Sequence, residues 1–381
     1  MLETLIQSLG LILIGFFAAL GGGEILVRGA VHFAKMLRVS ALLISLTIVA
    51  LGTSAPELAI TMQSVRGGMY EMALGNILGS CLFNIMFILG ICAVIAPLEI
   101  RKRMLAFDLP MMVIAALLLY FYATNDGNVS RQEGSIMLFL LAIFLTGRFF
   151  FDRFAERRQL ARLIQSNKGI AGESVVTYEN TSGEKFSLKN LLLDIIFIAA
   201  GLGLLVLGAD WLVKGSVEIC KIFGVSELVI GLTVLAIGSS LPEIMVSVMA
   251  TIKGEKDVAV GNIVGSNTMN ILCVLALTVI IMNGIPVSQN VQMYDLRLVV
   301  LISLVCVPIF VSSRFISRGE GVFFLVCYVA YSLFLYYKET QSPYLEQISW
   351  ILGISLAVLL GMALGVEAWL RRKKQKLEKS E

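Results

Sequence analysis

The chain has 381 residues, 57% of them apolar and 15% charged, with a formal net charge of +3 and a mean hydropathy of +0.87. Soluble domains carry roughly 25% charged residues, so most of this surface faces something other than water. That excludes a soluble enzyme, and the small net charge excludes a phosphate-tracking nucleic-acid binder. The six cysteines are scattered through apolar runs without a CxxC pair, and they read as small core or lipid-facing residues. One histidine, His32, rules out a histidine-rich zinc site, and no G-x-x-x-x-G-K-[ST] loop is present to support ATP-driven transport. MLETLIQ at the N-terminus has no basic n-region of a signal peptide.

Apolar stretches of about 20 residues read as transmembrane helices. In chain order they fall at approximately 5–34, 40–65, 71–96, 105–124, 132–150, 191–219, 226–252, 257–282, 295–313, 319–337 and 346–370, eleven in all. The only long polar stretch is 150–190: basic and amphipathic at first (FFFDRFAERRQLARL), then Gly-, Ser-, Asn- and Glu-rich like a solvated linker. With the N-terminus outside, inner segments collect 23 Lys and Arg and outer segments five, the remaining two lying within helices. The positive-inside rule then puts the C-terminus and the 150–190 loop in the cytoplasm. The expected location is a plasma (inner) membrane.

Shifted by 186 residues, the sequence aligns with itself without a gap: 27 of 68 positions match between Gly22–Leu89 and Gly208–Leu275. That is a duplication. LTIVALGTSAPELAIT (46–61) overlays LTVLAIGSSLPEIMVS (232–247), and GNILGSCLFNI (75–85) overlays GNIVGSNTMNI (261–271). Five helices per copy make the second copy enter the membrane upside down, the inverted-repeat plan of secondary transporters, whose substrate site lies at mid-membrane. The expected fold is all-α: a polytopic membrane protein with two inverted five-helix repeats plus one extra C-terminal transmembrane helix. The repeats occupy 1–150 (motif about 46–85) and 191–340 (motif about 232–271), separated by the 151–190 loop, with the extra helix and basic tail at 341–381. Gly361-x-x-x-Gly365 in that helix suits helix packing or a homo-oligomer contact, although one chain suffices for transport.

Glu57 and Glu243 sit at equivalent positions near the middle of the second and seventh helices, each directly after a proline. A charged side chain at the bilayer centre costs about 2.5–3.5 kcal/mol on insertion scales. With no basic residue at comparable depth, two structural packing acids are a poor explanation. Pro56 and Pro242 remove an N–H and crowd the carbonyls of Gly52 and Gly238. The helices should break there and expose carbonyls such as those of Ala50 and Ala236 beside the hydroxyls of Thr53, Ser54, Ser239 and Ser240. Ser80 and Asn84 share one face of the third helix, as do Ser266 and Asn270 of the eighth. Gly75, Gly79, Gly261 and Gly265 should let helices approach closely. Every candidate ligand is oxygen, which suits Na⁺ and Ca²⁺.

G-[TS]-S-x-P-E followed by G-N-x-x-G-S-x-x-x-N, present twice in inverted halves, resembles the two alpha repeats of sodium/calcium exchangers of the cation/calcium antiporter superfamily. The resemblance implies ten core helices, with the second, third, seventh and eighth forming the ion sites and the first and sixth sliding across them. It implies Ca²⁺ coordination by Glu57 and Glu243 with backbone oxygens near Thr53 and Ala236. Na⁺ would use the same carboxylates with Thr53, Ser54, Ser80, Ser239, Ser240, Ser266 and the Ala50 and Ala236 carbonyls. Where potassium-dependent relatives have aspartate, this chain has the amide Asn270, so the resemblance implies potassium independence. No resident cofactor is expected besides the transported ions, and the chain departs from animal exchangers in lacking their large cytoplasmic calcium-sensing domains, so that form of regulation is not expected.

Charge counting fits this picture. Two glutamates give −2, one Ca²⁺ neutralises them, three Na⁺ leave +1, and the empty site is trapped by its desolvation cost. Electrogenic exchange of three Na⁺ for one Ca²⁺ is the expectation. A proton/calcium antiporter is the alternative, weakened by hydroxyls a proton carrier does not need; a channel fits the inverted repeat less well. Glu24 with Arg28 and Asp210 with Lys214 form i,i+4 pairs at equivalent positions, either structural or part of the switch between states.

Overall fold

A computed structural model describes residues 2–37, 39–167, 188–222, 236–339 and Gly361. The described chain is nearly all helix. Among the described residues, eight helices are long and apolar enough to cross a membrane, and a bent pair, Ala41–Thr53 with Ala55–Arg66, makes a ninth if it is one span. They are α1 (Leu2–Leu37), the pair α2 (Ala41–Thr53) and α3 (Ala55–Arg66), α4 (Tyr70–Ile95), α5 (Met104–Asp126) and α6 (Arg131–Asn167) in the first half. The second half has α7 (Leu188–Ile222), the short α8 (Ala236–Ser239) and α9 (Leu241–Ile252), and α10 (Lys256–Met282). It ends with α11 (a π-helical Val291–Leu296 running into Arg297–Ser313) and α12 (Arg318–Glu339). The first part of the expected span at 226–252 and the expected eleventh helix at 346–370, with its Gly361-x-x-x-Gly365, lie outside the described residues apart from Gly361.

Two short ladders reveal the relation between the halves. β1 (Leu98–Glu99) follows α4 and pairs antiparallel with β4 (Phe315–Ile316); β2 (Asn128–Val129) pairs with β3 (Ile285–Pro286), which follows α10. β1 and β2 lie at the two ends of the membrane-length α5. β3, the counterpart of β1, is therefore held beside β2 at the opposite end. Equivalent connections end on opposite faces, as a two-fold axis in the membrane plane requires.

α4 and α10 are the most buried spans, with 78% and 89% of their apolar windows inside the protein. Their flanks form one core with α5, α11 and α12, through Leu78, Leu82, Ile85, Ile271, Leu275, Phe310 and Phe324. α1 and α7 pack on each other nearly backbone to backbone. A Cβ on Gly22 would lie 2.7 Å from the Leu205 nitrogen, and one on Gly208 would lie 2.6 Å from the Ala19 nitrogen. Small residues permit such contact where lipid removes any hydrophobic drive between helices. Gly261 and Gly265 likewise seat α10 against Leu42, Ser45, Leu46 and Ala50 of α2, whereas a Cβ on Gly75 or Gly79 would meet nothing within 4 Å among the described residues.

The basic, amphipathic start of the polar stretch after residue 150 is helical, with α6 running on to Asn167. At its membrane end lies an ionic cluster the sequence reading did not anticipate. Arg148, 1% exposed in its side chain, binds Asp108 (Nε to Oδ1, 2.8 Å) and Asp152 one turn away. Asp152 also receives Arg103 at 3.0 Å and the hydroxyl of Ser40, which accepts from the Leu43 N–H and so caps the start of α2. Helix periodicity accounts for the Arg148–Asp152 pair, but Asp108 comes from another helix.

Removing one partner of a buried ion pair costs about 3–5 kcal/mol, because the other charge stays buried. Arg148→Leu should therefore lower the thermal midpoint of the detergent-purified protein sharply. Arg28→Leu, in the exposed Glu24 pair, should move it by no more than about 1 kcal/mol in stability. Equal midpoints for the two variants would contradict the burial of the cluster.

Candidate ion-binding site

Each repeat breaks one helix at a serine. At Ser54 the backbone turns (φ −82°, ψ 7°) and α3 starts with Pro56 and Glu57 in its first turn; at Ser240 (φ −93°, ψ 8°) α9 starts with Pro242 and Glu243. Proline suits a first turn, where its missing N–H removes no helical bond, and a carboxylate there meets the positive end of the helix dipole. α2 and α3 meet at 42°.

At the first break the backbone does not open in the way the sequence suggests, whereas at the second the Ser240 N–H reaches the Ile237 carbonyl at 3.2 Å rather than that of Ala236. The Ala50 carbonyl accepts from the Ser54 N–H at 3.0 Å and from the Thr53 hydroxyl at 3.2 Å, and the turn's backbone N–H groups also reach Gly52. Ala50 is thus a hydrogen-bonded carbonyl beside the site, not an orphan. Proline at the start of a new helix removes little from the one before. Ala236 opens α8 at the equivalent place.

Neither serine caps its own helix. Ser54 Oγ donates across to Glu243 Oε1 at 3.3 Å, and Ser240 Oγ donates across to Glu57 Oε1 at 3.4 Å. Ser80 of α4 approaches the same Glu57 oxygen at 3.5 Å and Ser240 Oγ at 3.2 Å. Thr53 Oγ1 lies 3.4 Å from Asn262 Oδ1 and 3.5 Å from Ser266 Oγ on α10. Ser239 is buried at the end of α8. The two glutamates, Thr53, Ser54, Ser80, Ser240 and Ser266 thus form one cluster from four broken or central helices.

Glu57 and Glu243 are both 0% exposed. Glu57 Oε2, Glu243 Oε2, Asn84 Oδ1 and both amide atoms of Asn270 are buried without a hydrogen-bond partner. Leaving a buried polar group unpaired costs about 1–3 kcal/mol, more for a charged one. The free oxygens of Glu57 and Glu243, whose other oxygens share one serine cluster, suit exchangeable cations held by hard oxygens. No group of three or more His, Cys, Asp or Glu is placed to hold a metal among the described residues. Asn84 and Asn270 each open a π-helical turn or sit within one, at Phe83–Ile88 and Asn270–Leu275, a backbone form frequent at functional sites.

The sequence reading passed over the residues that hold these ligands in place. Asn76 Nδ2 donates to the Glu57 carbonyl (3.4 Å) and to Thr61 Oγ1 (3.1 Å); Asn262 Nδ2 does the same for Glu243 (3.4 Å) and Ser247 (3.1 Å). The signal was available, because both asparagines follow the first glycine of the doubled motif. Asn267 is a further omission: it accepts from Asn84 Nδ2 at 3.0 Å.

A pair of fully buried carboxylates between two related helical halves is consistent with an ion transporter, and comparison with known proteins gives the family. The chain belongs to the sodium/calcium exchanger protein family, which matches residues 7–150 and 193–337. It is 31% identical over 327 residues to the putative antiporter CaxA of Alkalimonas amylolytica, covering 85% of this chain and 97% of the relative. It is 28% identical to the sodium/calcium exchanger MaX1 of Methanosarcina acetivorans, covering 86% and 98% respectively. It overlays the structure of the sodium-calcium exchanger NCX_Mj soaked with 10 mM Na⁺ and 10 mM Sr²⁺ with a TM-score of 0.70 and 26% identity, over 85% of this chain and 97% of that one. It is an integral membrane protein of the exchanger-type antiporter class.

If the unpartnered oxygens hold cations, Ca²⁺ should raise the thermal midpoint of the purified protein, as any ligand of the folded state does. Glu57→Gln and Glu243→Gln should each abolish most of that rise while folding normally. A Ca²⁺-dependent rise that survives both substitutions would remove these carboxylates from the site.

Proposed function

We propose that this protein exchanges Na⁺ for Ca²⁺ by alternating access, three Na⁺ against one Ca²⁺, without K⁺. The observation that carries the reading is the pair of fully buried carboxylates, each with one oxygen bound by a serine of the other repeat and one oxygen unpartnered. Ca²⁺ would be held by Glu57 and Glu243 with carbonyl oxygens near Thr53 and Ala236. Na⁺ ions would draw on the same carboxylates, on Thr53, Ser54, Ser80, Ser239, Ser240 and Ser266, and on the Ala50 and Ala236 carbonyls, with Asn84 and Asn270 at the margin. Asn270 in place of an acid keeps the site at −2, the charge that one Ca²⁺ neutralises and three Na⁺ overshoot by one.

The repeats at 1–150 and 191–340 would contribute half a site each, with 151–190 as a cytoplasmic connection and 341–381 as an extra span. The charge asymmetry supports an outer N-terminus and a cytoplasmic C-terminus in a plasma or inner membrane. α1 and α7 form the moving pair on this reading, and their glycine-to-backbone contacts let them travel together. The tie between this pair and the site helices runs from Glu24 to Lys253 at 3.1 Å, a contact that sliding must break. The Glu24–Arg28 and Asp210–Lys214 pairs at 2.5 and 2.7 Å are solvent-exposed and stay within their own helices.

In proteoliposomes loaded with Na⁺ at equal pH on both sides, ⁴⁵Ca²⁺ uptake should follow the outward Na⁺ gradient and vanish in Glu57→Gln and Glu243→Gln. Uptake driven by a pH gradient without Na⁺ would favour proton exchange instead. Each 3:1 cycle carries one net positive charge out of the vesicle, worth about 2.3 kcal/mol per 100 mV. An inside-positive K⁺/valinomycin potential should therefore accelerate uptake, and indifference to voltage would sink the stoichiometry. Asn270→Asp adds a third acid that must take up a proton or another cation, so transport should become sensitive to pH or K⁺. An unchanged response would place Asn270 away from the ions.

A further inference from the structure

Where the two halves of the site differ, most exchanges keep the chemistry (Thr53 with Ser239, Thr61 with Ser247), but one sets an amide against a thiol: Cys81 in α4 corresponds to Asn267 in α10. Asn267 is 2% exposed and lies where these two helices cross. Its Nδ2 donates to the Cys81 carbonyl at 3.2 Å and lies 3.9 Å from the Met112 sulfur, so its Oδ1 is turned toward Asn84. A carbonyl oxygen only accepts, which fixes which end of the Asn267 amide faces Cys81. The oxygen presented to Asn84 can in turn receive only an N–H, and Asn84 Nδ2 supplies it at 3.0 Å.

This chain of donors leaves Asn84 Oδ1 buried, unpartnered and directed away from Asn267. One helical turn earlier on the same face, Ser80 meets Glu57. Asn270, the repeat counterpart of Asn84, has no such anchor: neither of its amide atoms has a partner, and the residue aligned with Asn267 is a cysteine. We infer that Asn267 is a positioning residue that holds the Asn84 amide with its oxygen, not its NH₂, toward the transported cation, leaving Asn270 as the half of the site whose amide is free to turn.

The inference rests on the exchange reading above, and the test separates the two. Asn267→Leu removes the acceptor for Asn84 Nδ2, so the amide can turn its NH₂ toward the cation. The KM for ⁴⁵Ca²⁺ uptake should then rise about tenfold, the effect expected when a single hydrogen bond is lost. In an Asn84→Ala background the same substitution should change KM less than twofold, because nothing remains to orient. If Asn84→Ala does not transport, the Ca²⁺ concentration that half-saturates thermal stabilisation of the purified protein gives the same four-variant comparison. Asn267→Ala, which likewise offers no side-chain acceptor, serves if leucine is not accommodated. Equal effects with and without the Asn84 amide, or no effect in either background, would overturn the positioning role. Normal uptake by Glu57→Gln would instead overturn the exchange reading itself.

Discussion

Two carboxylates buried in the middle of apolar helices set the terms for everything around them. Desolvating an ionised carboxylate carries a penalty of several kcal/mol even after relaxation, so the fold must either neutralise it or hold it ready for a mobile cation. The chain does both, in different places. Asp108 and Asp152 are paired with Arg148 and Arg103 at one end of the helices. Glu57 and Glu243 are given hydroxyl donors on one oxygen only. A guanidinium beside them would satisfy the charge permanently and close the site to exchange. Partial satisfaction by serines leaves one oxygen of each carboxylate without a partner, which is what the proposed exchange requires.

That compromise depends on helix ends placed at mid-depth. A carboxylate on an unbroken helix has its backbone amides committed and gains nothing from the dipole. Starting α3 and α9 with proline two residues into the first turn puts each glutamate at the positive end of a helix. It also frees the serine at each junction from capping its own helix, so that it reaches the other repeat's acid. Asn76 and Asn262 then fix the glutamate carbonyls from α4 and α10. Acid, serine and asparagine form a unit used twice, and neither copy is complete without the serine of the other.

Much of this was legible in the sequence because duplication doubles every signal. The 186-residue self-alignment singled out the glutamates, the serines and the helix breaks together. Three features were not legible, each for a physical reason. The state of the Ala50 carbonyl depends on how sharply the chain turns at Ser54, and a 42° bend keeps its helical bond while a full break would not. The Arg148–Asp108 pair joins residues on separate helices, and no local pattern reports which faces meet. The extension of α6 to Asn167 runs through a stretch whose polarity marks the end of the membrane rather than the end of the helix.

Asn267 belongs to neither class, since it was visible as one of the mismatches between the doubled segments yet carried no meaning until its partners were placed. Perfect two-fold symmetry would give α4 and α10 the same residue at this crossing. Two asparagines meeting there would both seek the single arrangement in which one donates and one accepts. With Cys81 offering its backbone carbonyl and Asn267 its amide, the direction of the hydrogen bonds is decided by the sequence. The order propagates to Asn84 alone, because Asn270 has a thiol, not an amide, at the corresponding place. On the proposed exchange reading, a duplicated site that binds ions of different number and charge gains from such inequality: one half would be preorganised at no cost in ligand ordering, and the other would adapt its amide to the ion that arrives.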